Sequence, residues 1–271
     1  MSQKSTIVVI GGTGKTGRRV ADRLKALGHE VRIGSRQAAQ PFTWEDEASW
    51  RPLLEGADGV YIAHPDNTHP DAGAQIGRLA KLALERGVKR QVLLSGRADE
   101  GFMDAVEAGF KNSGADWTIL RPAWFMQNFS EMFFLDAVIA GELVLPVEDA
   151  TEPFIDIEDV AAVAVEALSD GRHAGQIYEL TGPELLGFEE TARVLSEATG
   201  RTIRFTPISF EAYRDGIAAS GLPEEYAYTY AGIADGKLAY VTDDVERVLG
   251  RKARRFVDYA RDAAKSGVWG E

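Results

Sequence analysis

The chain has 271 residues, of which 45% are hydrophobic and 27% are charged, as in an ordinary globular protein with a full core. It contains no cysteine, which excludes disulfides, thiolate metal ligands and a cysteine nucleophile. The formal net charge of −12 argues against nonspecific nucleic-acid binding. No apolar run approaches the ~20 residues that span a bilayer. The N-terminal residues lead directly into a strand pattern, so we expect no secretion signal and a cytoplasmic protein that acts on small molecules.

The first pattern is a β-branched strand at residues 7–10, followed by a glycine-rich turn and a helix from residue 15 to about residue 27. This order of elements is the context of a dinucleotide-binding site. Gly11 permits a sharp turn, Gly14 leaves space for a pyrophosphate, and Gly17 lets the helix pack closely on the sheet. The alternative is a tight turn that binds nothing. We predict that the cofactor contacts Gly11, Gly12, Thr13, Gly14, Lys15, Thr16 and Gly17.

The second strand, at residues 30–34, ends in Ser35 and Arg36. An acidic residue here would bind the ribose 2′-hydroxyl and favour NAD, whereas a guanidinium can pair with a 2′-phosphate. Ser35 can add a hydroxyl donor. The alternative is a solvated surface arginine. The residues therefore favour NADP(H) over NAD(H) as the cofactor.

Strand and helix patterns alternate up to residue 122. A short strand at 42–46 and a helix at 48–54 precede strands at 59–63, 91–95 and 116–120, with helices at 71–85 and 102–112 between them. This alternation predicts an α/β fold with a doubly wound parallel sheet. Ligands collect at the carboxyl ends of such strands, so we add Ala63, His64 and Ser95 to the cofactor-binding residues. His64 is also a catalytic candidate, although a lone loop histidine is more often solvated.

An aromatic-rich stretch at residues 123–134 follows the last of these strands. It is either core or the wall of an apolar pocket, and we assign Trp124, Phe125, Asn128 and Phe154 to substrate binding. A short strand is predicted at 154–157, with Asp159 as the N-cap of a helix that runs to residue 168. A last core strand follows at 176–180.

Residues 188–271 are mostly helical, with predicted helices at 188–199, 210–219, 224–234, 243–249 and 256–264. We therefore predict a dinucleotide-binding domain at 1–185, in which 122–153 contributes to the substrate pocket, and a smaller substrate-binding lobe at 186–271. The four histidines, at positions 29, 64, 69 and 173, form no cluster, so we expect no metal site.

Five stretches together resemble the NmrA-like branch of the atypical short-chain dehydrogenase/reductases. They are GGTGKTG at 11–17, SGADWTILRP at 113–122, WFMQNF at 124–129, FIDIEDV at 154–160 and YELTGP at 178–183. The resemblance implies a Rossmann fold, NADP(H) binding and a C-terminal substrate lobe. The family includes quinone and triphenylmethane-dye reductases, plant phenylpropanoid reductases, and regulators that bind the dinucleotide without turnover.

The sequence departs from this family at the catalytic pair. Active short-chain dehydrogenases usually carry Tyr-x-x-x-Lys on the helix after the strand at 91–95, but that helix has no tyrosine here, and Lys111 lies near its far end. The family's catalytic tyrosine and lysine therefore cannot be assigned to residues of this sequence. Ser95, Asn128 and His64 remain as weak catalytic candidates.

Two functions from different classes follow from these patterns. We favour an NADPH-dependent reductase of a small, activated, largely apolar acceptor such as a quinone, enone, iminium or dye. The alternative is a non-catalytic regulatory protein that senses NADP(H). An isomerase or epimerase that uses bound NAD(P) is less favoured, because it too needs a placed acid or base. We expect no nucleic-acid or membrane partner and leave a homodimer open.

Overall fold

The computed structural model describes residues 4–38, 41–98, 101–221, 227, 228 and 230–270. The strands of this part are β1 Thr6–Ile10, β2 Glu30–Gly34, β3 Gly59–Ala63, β4 Arg90–Leu94, β5 Asp116–Pro122, β6 Glu142–Leu145, β7 Thr151–Glu152, β8 Gln176–Leu180, β9 Leu186–Gly187 and β10 Arg204–Pro207. The helices are α1 Lys15–Ala26, α2 Arg51–Leu54, α3 Ala72–Glu85, α4 Phe102–Lys111, α5 Asn128–Glu131, α6 Leu135–Ala140, α7 Ile157–Ser169, α8 Phe188–Thr199, α9 Phe210–Ala219, α10 Ala231–Ala234, α11 Asp244–Leu249 and α12 Phe256–Lys265. Over these ranges, no helix has the length and apolar character needed to cross a membrane.

The chain divides into two compact units. The sheet unit comprises Met1–Pro122, Ile157–Leu180 and Asp244–Arg251, and the second unit comprises Ala123–Asp156, Thr181–Asp243 and Lys252–Glu271. This division differs from the continuous domains at 1–185 and 186–271 that the sequence suggested. One reason is that α11 packs on α7 and β8, where the Asp244 carboxylate accepts a 2.8 Å hydrogen bond from the Glu179 backbone N–H.

The sheet unit is built on six parallel strands in the order β2-β1-β3-β4-β5-β8. The apolar side chains of β1, β3 and β4 are almost completely buried, as expected for strands covered on both faces. Helices α1 and α7 pack against each other, and α3 packs against α4. The predicted doubly wound α/β fold is therefore confirmed. Because β2 and β3 flank β1 on opposite sides, the strand order reverses at β1, and the crevice beyond such a reversal is where ligands bind in these folds.

The predicted strand at 42–46 is wrong. Phe42 and Trp44 are buried through contact with Trp50, with ring centroids 6.1 Å from it in both cases. The Trp50 indole N–H donates a 2.7 Å hydrogen bond to the Thr43 carbonyl. The alternating apolar pattern of this segment therefore comes from an aromatic cluster and not from strand pairing.

Two details near α7 also differ from the sequence-based expectation. Asp159 lies inside the first turn of α7 and not at its N-cap, and its buried carboxylate accepts a 2.6 Å hydrogen bond from the Arg251 guanidinium. The predicted strand at 154–157 is reduced to a single bridge between Phe125 and Ile155.

The second unit has an aromatic core, to which the segment that follows β5 contributes many of the side chains. Phe129 contacts Phe134, Phe154 and Phe256, with ring centroids 4.7, 5.4 and 5.3 Å apart. Helices α8 and α12 pack together beside this core, and the strands form two small pairs, β6 with β10 and β7 with β9. The second unit differs from the mostly helical lobe predicted at 186–271, because it also includes residues 123–156 and, among the described residues, four short strands.

Candidate functional site

The glycine turn brings the end of β1 against the start of α1. Gly11 has φ +75°, a conformation that favours glycine, and its N–H donates a 2.9 Å hydrogen bond to the Gly34 carbonyl at the end of β2. A Cβ on Gly17 would lie 2.2 Å from the Gly11 carbonyl oxygen, and a Cβ on Gly12 would lie 2.9 Å from the Val9 carbonyl oxygen. These two glycines are therefore required by close backbone packing.

Gly14 has a different environment. It is exposed, and the Gly11 carbonyl oxygen, at 3.2 Å, is the one described atom within 4 Å of a Cβ placed there. As the N-cap of α1, Gly14 provides no side-chain cap, and the first turn of α1 has no acidic residue. Thr13 is exposed and Thr16 is buried. The helix start therefore combines open space with the positive end of the helix dipole, which suits a phosphate group.

The end of β2 carries a hydroxyl and a guanidinium with unused hydrogen-bonding capacity. The Ser35 Oγ is buried and has no hydrogen-bond partner among the described residues. Arg36 is exposed, and the same part of the chain offers it no hydrogen bond or ion pair. A buried hydroxyl without a partner is unfavourable unless a ligand satisfies it. This strand end therefore fits an anionic ligand group.

The end of β3 lies against the glycine turn, since the Ala63 carbonyl oxygen would be 3.0 Å from a Cβ on Gly11. His64 follows directly. Its Nδ1 lies 2.7 Å from the Asp66 carbonyl oxygen, its Nε2 lies 2.9 Å from the Gln75 Oε1, and its ring centroid is 4.6 Å from that of Trp44. Both ring nitrogens have protein partners, so the structure gives His64 a packed position and not that of a solvated loop histidine.

The end of β4 carries a hydrogen-bond network that sequence reasoning did not find. The Ser95 hydroxyl donates a 2.6 Å hydrogen bond to Oε1 of Glu107, whose side chain is 0% exposed. Arg121 donates from Nε to the same oxygen at 2.8 Å and from Nη2 to Oε2 at 2.6 Å. The Lys111 Nζ lies 3.0 Å from Oε2 and 3.0 Å from the Asp104 Oδ1.

This network keeps Glu107 ionised. Burial raises the pKa of the carboxyl group, but the hydrogen bonds from Arg121, Ser95 and Lys111 outweigh burial and hold the pKa below its usual value. The spacing of Asp104, Glu107 and Lys111 on one helix face was the available sequence signal. The contributions of Arg121 and Ser95 could not be inferred, because these residues lie on other elements.

Helix α4 follows β4 and is the helix on which the short-chain dehydrogenase pattern leads us to expect Tyr-x-x-x-Lys. It contains no tyrosine, and Met103 is buried on its inner side. The Lys111 ammonium is bound by two carboxylates of its own helix. Lys111 is therefore occupied in the network and does not replace the missing lysine.

The residues predicted to bind substrate lie in the second unit. Phe154 is 1% exposed and packs edge-to-face against Phe129 and Phe188, which places it in the hydrophobic core and not on a pocket wall. Asn128 is also buried. Trp124 is half-buried, with its ring centroid 6.2 Å from that of the exposed Phe133. Trp124 and Phe125 thus remain the accessible members of the predicted set.

A tyrosine pair lies beside Trp124. The Tyr230 ring centroid is 5.5 Å from that of Trp124 and 5.3 Å from that of Tyr213. Burial and the hydrogen bond with Tyr213 raise the pKa of Tyr230 well above its usual value, so its hydroxyl is a poor acid at neutral pH. These three aromatic rings therefore pack together, with Tyr230 buried between the partly exposed Trp124 and Tyr213.

The second unit also contains a cleft of about 490 Å³, lined by residues of the 146–151 and 234–239 segments. Its charged lining residues, Glu148, Asp149 and Asp235, are acidic, and none of the four predicted substrate residues lines it. Across the described ranges, no group of three or more His, Asp or Glu side chains could hold a metal ion.

Known proteins resemble this chain over nearly its full length. It is 32% identical to the uncharacterized oxidoreductase YesF of Bacillus subtilis (strain 168), over 99% of this chain and 98% of that protein. It is 31% identical to the NAD(P)H azoreductase of Xenophilus azovorans, over 94% of this chain and 96% of that protein.

A solved structure, that of the Citrobacter sp. triphenylmethane reductase, has the same fold. It superposes with a TM-score of 0.77 at 22% identity, over 96% of this chain and 99% of that chain. The model of the NmrA-like family matches residues 3–262. The family resemblance seen in the sequence is thereby confirmed: this chain belongs to the NmrA-like family.

Proposed function

We propose that the protein is an NAD(P)H-dependent oxidoreductase that delivers a hydride to a small, activated, largely apolar acceptor. The observation that carries this proposal is the open, uncapped start of α1 at Gly14, beside the unpartnered Ser35 hydroxyl and the Arg36 guanidinium. The relatives named above that have a stated activity are oxidoreductases, which supports the same class of reaction.

The residues of the sheet unit suit separate parts of a dinucleotide. The Gly14 backbone and the first N–H groups of α1 would hold the pyrophosphate. Ser35 and Arg36 would hold a 2′-phosphate, and the absence of an acidic residue at this strand end supports NADP(H) over NAD(H). The reduced dinucleotide, when bound, supplies the hydride from its nicotinamide ring.

The proposed acceptor class is supported by the hydrogen bonds of two candidate proton donors at the strand ends, Ser95 and His64. The Ser95 proton is directed at Glu107, and both His64 ring nitrogens have protein partners. An unactivated ketone builds up an alkoxide and needs a proton donor at once. A quinone, enone, iminium or dye spreads or neutralises the incoming charge, so its proton can come later from water. The half-exposed aromatic surface at Trp124 and Phe133 suits such planar acceptors.

A dinucleotide-sensing regulator without turnover is the second candidate. The observation that favours it is that α4 has no tyrosine and that its one lysine, Lys111, is engaged by Glu107. The two candidates share the cofactor site and differ in whether any acceptor is reduced.

The proposed reaction is tested by measuring NADPH oxidation with a panel of acceptors. We expect kcat/KM for quinones, azo and triphenylmethane dyes or iminium compounds to exceed that for simple aliphatic ketones by about 100-fold or more, because the Ser95 proton and both His64 ring nitrogens already have protein partners. Rapid reduction of an aliphatic ketone, abolished by Ser95→Ala or His64→Ala, would contradict the mechanism. Tight NADPH binding without turnover of any acceptor would favour the sensor.

Cofactor preference is tested with Arg36→Ala. A charge-assisted pair with the 2′-phosphate contributes about 1.5–3 kcal/mol, so the wild type should bind NADPH roughly tenfold to 100-fold more tightly than NADH. Titration of both cofactors should show that Arg36→Ala loses this ratio. Lys89→Ala, which removes an exposed cation just before β4 at the opposite edge of the sheet, should keep it. Equal affinities in the wild type would refute the NADP(H) preference.

The phosphate site is tested with Gly14→Val. The variant should melt near the wild-type temperature without cofactor but lose the thermal shift that NADPH produces, because its side chain fills the open side of the turn. Gly171→Val, at a glycine with open space around its Cβ position, should retain both properties, whereas Gly17→Val should lower the melting temperature. A full NADPH shift in Gly14→Val would place the phosphate site elsewhere.

A further inference from the structure

The Ser95 hydroxyl has one proton and two lone pairs, and its proton is committed to the protein. Glu107 accepts hydrogen bonds from Ser95 and Arg121, lies 3.0 Å from the Lys111 ammonium, and is completely buried. An ionised carboxylate in this setting has no proton to give. The proton of the 2.6 Å Ser95–Glu107 hydrogen bond is therefore the serine proton, and the lone pairs of Ser95 remain for another partner.

Ser95 lies at the sheet edge that carries the glycine turn. It directly follows β4, whose last residue, Leu94, pairs with Ala63 at the end of β3. Its backbone N–H donates a 2.8 Å hydrogen bond to the Leu120 carbonyl, which fixes the serine backbone. The next residue, Gly96, has open space around its Cβ position. Ser95 itself is 6% exposed, so a ligand group that reaches it would approach from the side of Gly96.

The serine is not needed for the charge balance of the network. Glu107 and Asp104 provide two negative charges, and Arg121 and Lys111 provide two positive charges. These four groups pair with one another at 2.6–3.0 Å. Ser95 adds a neutral donor to carboxylate oxygens that already have cationic partners. The network therefore fixes the orientation of the Ser95 hydroxyl, whereas the ion pairs of the network do not depend on Ser95.

We propose that Glu107 is a positioning residue that holds Ser95 as a hydrogen-bond acceptor toward the ligand. Ser95 then binds a donor group of the dinucleotide, such as a ribose hydroxyl, and gives no hydrogen bond to a carbonyl oxygen. This inference rests on the proposed function and deepens it, because it gives a structural reason for the proposed preference against unactivated carbonyl compounds.

The chemical consequence concerns the oxygen of a carbonyl acceptor. Hydride addition from the nicotinamide forms a C–H bond at the carbonyl carbon and moves the π electrons to the oxygen, which then takes a proton from water. A hydrogen-bond donor at that oxygen stabilises the developing charge. A serine whose proton is held by Glu107 cannot act as that donor, whereas a released serine can.

The test releases Ser95 without leaving a buried charge. Glu107→Met combined with Arg121→Met removes one negative and one positive charge and leaves the Asp104–Lys111 pair, and apolar replacement of a buried ion pair is often tolerated. We expect kcat/KM for an aliphatic ketone, relative to that for a quinone, to rise by about tenfold in this variant. Adding Ser95→Ala should return the ratio to the wild-type value. Structural damage would lower both rates and would not produce a gain that depends on Ser95.

Two further measurements test the role of Ser95 without the Glu107→Met, Arg121→Met double variant. If the double variant does not fold, Glu107→Gln can replace it. We expect this variant to raise the ratio of kcat/KM for the ketone to that for the quinone by a smaller factor, and the rise should again require Ser95. NADPH titration should show about three- to tenfold weaker binding in Ser95→Ala, and no change in Ser113→Ala, a buried serine before β5 at the other edge of the sheet.

A ketone ratio that does not rise in a folded variant, or a rise that persists without Ser95, would overturn the proposal. NADPH affinity that is unchanged in Ser95→Ala would do the same. A wild-type protein that binds no dinucleotide would instead refute the proposed function itself, so the two failures are distinguishable.

Discussion

The candidate site depends on the close approach of α1 to the end of β1. A Cβ on Gly17 would lie 2.2 Å from the Gly11 carbonyl oxygen, so this approach requires glycine. The same approach points the uncapped start of α1 at the open side of Gly14 and sets the turn against Ala63, where the strand order of the sheet reverses. Space, amide donors and a favourable dipole thus coincide at one edge of the sheet because of one backbone contact.

A second constraint lies at the neighbouring strand ends. Helix α4 contains no tyrosine and instead carries a buried carboxylate, Glu107, whose partners include Lys111 and Ser95. Burying such a charge is costly unless cationic and hydrogen-bonding partners surround it, and here they do. The Lys111 ammonium and the Ser95 hydroxyl proton are thereby held in this network. Under the proposed function, catalysis would rest on binding and orientation, which suits acceptors that are already activated.

Much of the fold could be predicted because its signals are local. The strands at 30–34, 59–63 and 176–180 and the helices at 188–199 and 210–219 agree residue for residue with the structure. The false strand at 42–46 arose because Phe42 and Trp44 alternate with polar residues but are buried by Trp50. The glycine turn could also be predicted, because its glycines lie close together in the sequence. The Glu107 network could not be predicted, because it joins side chains from the end of β4, from α4 and from β5. The core position of Phe154 could not be predicted either, because its packing partners are distant in the sequence.

Under the proposed function, a dinucleotide bound at this edge would transfer its hydride without help from a protein acid. This step can be measured by single-turnover reduction of a quinone by NADPH deuterated at either C4 position, in H₂O and in D₂O. We expect a primary isotope effect for one of the two deuterated cofactors and no appreciable solvent isotope effect on the same step. A large solvent isotope effect that multiplies the primary one would show that a proton moves with the hydride and would refute hydride transfer without a protein acid.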